Sequence, residues 1–152
     1  MSMITNSSNK SYIGSYILLN YLMNLLNGKD KLASLSMIKY LDYSMFDEKE
    51  LKKFDRILSN NINDLTIKDI KSTNDIIDTL ETSIWVILKA DNFKDSLVAS
   101  SNLGNDSRVI SSLVGFMAGI LYQDDIPVTF INKISNIEEL KQISKDFENI
   151  FN

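Results

Sequence analysis

Apolar residues recur at about 3.6-residue spacing along most of the chain, and breakers are few: one proline, Pro127, and five glycines. That period belongs to helices with one buried face. The first is expected from about Ser8 to Leu26, with Ile13, Ile17, Leu18, Tyr21, Leu22 and Leu25 as its apolar stripe. Asn27-Gly28 supplies the stop, because glycine ends a helix in a left-handed conformation without steric cost. A second helix, about Asp30 to Tyr43, should bury Leu32, Leu35, Ile38 and Leu41. Asp47 reads as an N-cap with Glu50 as its capping-box partner. The short helix it opens ends by Leu58, and the polar run from Ser59 to Asp64 reads as a loop. Its asparagines are turn formers before they are ligands.

A broad apolar face (Ile76, Ile77, Leu80, Ile84, Trp85, Leu88) marks a largely buried helix over about Asn74–Lys89. Asp91 is expected to cap a short helix through Ser101. Asn102 to Asp106 breaks the pattern, and Ser107–Tyr122 follows as the most apolar helix of the chain. A short helix near Pro127 and a final amphipathic one from Ser135 or Asn136 through Phe151 complete the reading. About eight helices and no convincing strand predict an all-α helical bundle, with residues 1–152 as a single domain.

Composition narrows the chemistry. Neither histidine nor cysteine occurs. Histidine bases, thiolate nucleophiles, disulfides and imidazole-bound zinc are therefore excluded. Oxygen ligands alone would suit magnesium, calcium or manganese. With 16 basic against 20 acidic residues the net charge is −4, which gives no general attraction to phosphate backbones and predicts no nucleic-acid partner. The polar stretch from Met1 to Lys10 lacks the apolar core of a signal peptide. No apolar run is long enough to span a bilayer. A cytoplasmic protein without a membrane partner is the expectation.

Residues 75–134 carry more information than the rest. Ile76 to Trp85, Asn92 to Gly104, Ser111 to Tyr122 with its small residues Gly115, Ala118 and Gly119, and Ile126-Pro127 with Phe130 follow one another in fixed order. Upstream, Ile4-Thr5-Asn6 precedes a helix ending Leu25-Leu26-Asn27-Gly28. In order and spacing these segments resemble the C-terminal half of the ADP-ribosylglycohydrolase family. The resemblance implies that family's helical bundle, truncated to about half. It also implies an acidic turn of the form G-G-D-x-D-T at the start of the small-residue helix. In the family that turn helps hold two magnesium ions, which activate water and orient the ribose for cleavage of a glycosidic bond.

The match fails where the chemistry lies. The turn reads Gly104-Asn105-Asp106-Ser107-Arg108-Val109. Asp106 matches the first aspartate and is the one candidate metal ligand. Arg108 stands for the second, and Val109 for the threonine. A guanidinium has no lone pair to offer a cation and repels it. Asn6 replaces the histidine of an "iTH" motif, and the N-terminal cluster of metal-binding acids is expected to be missing. Asp124-Asp125 lies some 16 residues of helix away, more than about 20 Å from Asp106, and reads as turn chemistry before Pro127.

The reading is therefore a non-catalytic relative with no catalytic residues and no cofactor. Thr5, Asn6, Gly104, Asn105, Ser107 and Arg108 are its candidate ligand-binding residues, for an ADP-ribose-like or nucleotide-phosphate ligand. Half of a helical fold should also expose an apolar face, so a homo-oligomer or a partner protein is expected to cover it. The alternative is one half of a split magnesium-dependent ADP-ribosyl hydrolase, completed by another chain.

Overall fold

A computed structural model of the chain describes residues 8–59, 61–105 and 107–151, with the backbone alone at 61 and 151. Nine α-helices account for most of the described residues: α1 (Asn9–Leu26), α2 (Lys31–Ile38), α3 (Glu48–Leu51), α4 (Asp55–Leu58), α5 (Ile76–Lys89), α6 (Phe93–Ser101), α7 (Ser107–Leu121), α8 (Val128–Ile131) and α9 (Ile137–Phe151). Short 3₁₀ turns fill several connections, and no strand occurs among the described residues. The all-α expectation holds.

Local signals set most helix ends. The Ser8 hydroxyl accepts from the Ser11 amide to open α1. Gly28, at φ +76°, closes it: its amide donates to the Leu25 carbonyl and the Lys29 amide to that of Asn24. That pair of bonds is the Schellman arrangement, which absorbs carbonyls the last turn leaves open. Asp30 caps α2 through the Leu32 and Ala33 amides, both at 2.8 Å.

The structure departs from the sequence-based reading in five places. Helix α2 stops at Ile38, five residues before Tyr43. The Tyr43 hydroxyl returns to donate to the Ile38 carbonyl at 2.7 Å, and Tyr16, Tyr43 and Phe46 gather edge to face above it. Leu32 is 51% exposed rather than buried. Asn92, not Asp91, caps α6 by accepting from the Asp95 amide at 2.8 Å, while Asp91 pairs with Lys31 at 3.0 Å. Glu50 pairs with Lys53 instead of completing a capping box, although Asp47 does cap α3. Lastly, the polar segment after Leu58 holds a 3₁₀ turn, Asn61–Asp64, whose Ile62 is fully buried.

Helix α5 is the centre of the molecule. It buries residues around most of its circumference, from Leu80 through Ile84 to Leu88, and packs against α1, α6 and α7. Its polar groups fasten a segment that has little helix of its own. Thr82 donates to the Lys71 carbonyl at 2.9 Å, Trp85 to Leu65 at 2.9 Å and Lys89 to Asn63 at 2.7 Å. The core around it comprises Ile13, Ile17 and Tyr21 of α1, Ile84 and Ile87 of α5, and Ile110, Val114 and Met117 of α7, all fully buried. Each such side chain contributes roughly 1.5–3 kcal/mol of transfer free energy.

Two close approaches fix the relative placement of the helices. Gly14 lets α1 meet the start of α5: a Cβ there would fall 2.8 Å from Ile76 Cγ2. At the opposite end the Ala90 carbonyl, just past α5, accepts from two side chains, Lys31 Nζ and Tyr122 Oη, the latter at 2.8 Å. Helix α9 is different. Its described side chains from Glu138 to Ile150 are exposed, and among the described residues it makes no extensive contact with another helix.

Candidate functional site

The turn between α6 and α7 is built around two consecutive left-handed residues. Gly104 has φ +73° and Asn105 φ +46°. At Gly104 a Cβ would meet nothing within 4 Å, so backbone conformation rather than space explains the glycine. Asparagine is among the side chains that tolerate this region. The buried Ser72 hydroxyl donates to the Gly104 carbonyl at 2.8 Å and anchors the turn to the body. The Ser107 amide donates to the same carbonyl at 3.1 Å. That first-turn donor is therefore engaged within the loop.

Of the predicted ligand-binding residues, the structure describes Gly104, Asn105, Ser107 and Arg108. Thr5, Asn6 and the metal candidate Asp106 lie outside the described residues. Asn105 lines a groove of about 330 Å³ with Lys71, Ser72 and Thr73 on its other wall. Arg108 and Val109 are exposed on the first turn of α7, while Ile110 anchors that turn in the core. Val109 also borders a second cavity, of about 230 Å³, shared with Ser11 and Ser15 of α1 and with Asn74 and Thr79 around the start of α5. The N-terminal ends of α1, α5 and α7 thus meet at one end of the bundle. Asp124 and Asp125 fall in a 3₁₀ turn beyond the other end of α7.

The charges at the shared end are largely settled by local partners. Lys10 and Asp75 pair at 3.1 Å and join α1 to α5. Burial pushes the Asp75 carboxyl up, but bonds from the Ile77 amide and Lys10 outweigh it and leave the group below its ordinary value. Deeper in, Glu81 of α5 is buried, and that burial raises its pKa against the opposing pull of Arg56. Arg56 Nε approaches Glu81 at 3.1 Å without the alignment of a hydrogen bond, and its Nη2 donates to the Asp69 carbonyl at 2.9 Å.

The sequence profile of the ADP-ribosylglycohydrolase family matches this chain over residues 1–152. The chain belongs to that family. Its relatives include an ADP-ribosylarginine hydrolase of Serratia proteamaculans (strain 568), 32% identical over 78 residues, which are 51% of this chain and 21% of that protein. One from Pseudomonas putida (strain GB-1) is 26% identical over 78 residues, with the same shares covered. The ADP-ribosyl-dinitrogen reductase glycohydrolase of Rhodospirillum rubrum is 35% identical over 60 residues, 39% of this chain and 20% of that protein. The matched stretch thus spans about a fifth of the length of these relatives.

In the turn of this ADP-ribosylglycohydrolase-family chain, Arg108 offers a cation and Val109 a hydrocarbon, neither of which can ligate a metal ion, while Asp106 lies outside the described residues. Among the described residues no group of three or more acidic side chains converges as a metal would require. Two features escaped the sequence reading. The Lys71-Ser72-Thr73 wall of the groove carries no signal beyond being polar and non-helical. The buried Glu81 could have been found, since it sits one residue after Leu80 on a helix that is apolar on most sides.

Proposed function

We propose that this chain is a non-hydrolysing member of the family that binds an ADP-ribose-like or nucleotide-phosphate ligand without metal. One observation carries the reading: the turn that opens α7 presents Arg108 and Val109, both exposed, where the family pattern has an aspartate and a threonine. A fixed guanidinium takes over the charge that bound magnesium supplies in the family. It pairs with phosphate in a planar, bidentate fashion, and the positive end of α7 adds to the same field. The groove beside Asn105, with Lys71, Ser72 and Thr73, offers further polar contacts along the turn.

The relatives named above are hydrolases, and a split enzyme completed by a second chain is the competing reading. Binding heat and thermal stability measured with ADP-ribose, with and without magnesium, separate the two. A metal-free site gives magnesium-independent stabilisation, weakened about 10- to 100-fold in affinity by Arg108→Ala, the range expected for a lost charged hydrogen bond. Stabilisation that requires magnesium, or release of ADP-ribose from an ADP-ribosylated arginine, overturns the proposal.

A further inference from the structure

Residues 62–74, between α4 and α5, hold short 3₁₀ turns and no α-helix. They run along α5 as a strap whose ties to the body are single side-chain bonds. Asn63 accepts from Lys89 at 2.7 Å, Leu65 from Trp85, Asp69 from Arg56 and Lys71 from Thr82, the last three at 2.9 Å. The backbone amides of Leu65, Asp69 and Ile70 bond within the strap, to the Ile62, Thr66 and Ile67 carbonyls. Of its described apolar side chains only Ile62 is fully buried. A segment with so few buried contacts opens at lower free energy than the helices beneath it.

Glu81 sits where α4, α5 and this strap meet, and only 4% of it is exposed. Its ion partner is Arg56 of α4, with Nε at 3.1 Å, yet among the described residues no hydrogen bond reaches the carboxylate. The same guanidinium sends Nη2 to the Asp69 carbonyl, so Arg56 links the carboxyl to the strap. With its side chain 42% exposed, Arg56 is screened by water and offsets the buried charge only in part. Lys71 on the strap adds a second attraction and Asp78 on α5 a repulsion; α1, α6 and α7 bring no charged group to bear on Glu81 among the described residues. Burial outweighs these and favours the neutral acid.

We propose that a proton on Glu81 latches the strap: with the carboxyl neutral the segment lies closed on α5, and ionisation lifts residues 69–73 so that the carboxylate meets water. Water supplies the hydrogen bonds that the closed arrangement lacks. The proton binds the closed form more tightly than the open one, so rising pH favours opening. The change begins in the ordinary glutamate range, about 4.5, and levels off once the pH passes the raised value of the closed form. Between those limits each pH unit multiplies the open-to-closed ratio by up to about tenfold. Lys71, Ser72 and Thr73 wall the groove beside Asn105, so the latch also sets the shape of that groove. Whether the groove holds a ligand does not alter this coupling.

The chain has no cysteine, so one introduced thiol is a unique reporter. Thr82 is fully buried against the Lys71 carbonyl, and Thr82→Cys places the thiol under the strap. Its labelling rate with a pyridyl disulfide, divided by the rate for the urea-unfolded chain at the same pH, gives the fraction open. From about pH 4.5 upwards this fraction rises by up to about tenfold per unit and then levels off, with the weak urea dependence of a small local opening. Adding Glu81→Gln, a neutral isostere, removes the pH dependence. Glu81→Met serves if that combination does not fold, and Ser72→Cys, buried on the strap itself, stands in for Thr82→Cys on the same ground. A fraction open that ignores pH, a pH dependence that survives Glu81→Gln, or labelling with the full urea dependence of global unfolding overturns the proposal.

Discussion

Substituting alanine for Gly14 and, separately, for Gly119 isolates the packing of α1 on α5. Both glycines lie inside helices, so each replacement gains about 0.5–1 kcal/mol of helix propensity. At Gly119 the added methyl meets nothing within 4 Å and the gain is kept. At Gly14 the methyl lands 2.8 Å from Ile76 Cγ2, with Phe54 Cε1 at 3.7 Å behind it. Ile76 is β-branched and sits on the first turn of α5, where its χ1 has little freedom, so α5 or α1 must shift. Overpacking of this kind costs about 1–3 kcal/mol. The net result is a loss of up to about 2.5 kcal/mol for Gly14→Ala against a gain of about 0.5–1 for Gly119→Ala. For a domain of this size each kcal/mol moves Tm by about 2–4 °C. Gly119→Ala should melt a few degrees above wild type and Gly14→Ala as much as about 10 °C below it. The assay is thermal unfolding at low protein concentration, where association adds little. If Gly14→Ala raises Tm as far as Gly119→Ala does, α1 and α5 do not meet as described.

Glu81→Gln should flatten the dependence of stability on pH. Burial raises the folded-state pKa of Glu81, so wild type loses stability as pH rises from the ordinary glutamate range, about 4.5, towards that raised value; urea midpoints at a series of pH values read the slope. Asp75 has the opposite sign, because its folded pKa is depressed, so its contribution is present above the ordinary aspartate range and lost as pH falls through the lowered value. Asp75→Ala should cost about 1 kcal/mol at neutral pH through the lost N-cap, visible in the same urea titrations. Ser72→Ala removes the bond to the Gly104 carbonyl and should cost about 0.5–1.5 kcal/mol, with faster amide exchange confined to the turn before α7.

How far the fold could be read beforehand depended on whether a helix end is set by neighbours in sequence or by distant ones. The end of α1 was legible because Asn27-Gly28 closes it locally. The end of α2 was not, since the Tyr43 hydroxyl caps it after the chain has turned back. Asp91 and Asn92 are equally good caps in isolation; in the structure Asn92 accepts from the Asp95 amide and Asp91 pairs with Lys31, 60 residues earlier. Ile62 looked exposed among asparagines and is buried because α5 draws its segment inward through Trp85 and Lys89. At the site, the turn at Gly104 stood out through its family pattern. The Ser72 anchor 32 residues away left no periodicity or motif to find.

The Ala90 carbonyl has a consequence for how the molecule opens. It accepts from Lys31, 59 residues before it, and from Tyr122, 32 residues after it, so both lone pairs are occupied by distant parts of the chain. Neither the start of α2 nor the end of α7 can peel away without leaving the junction after α5 short of a partner. Amides in these three places should therefore exchange with a common opening free energy, that of global unfolding, rather than fray one by one. Contacts closing loops of this length form late in folding, because the ordering entropy is lost before the bond is gained.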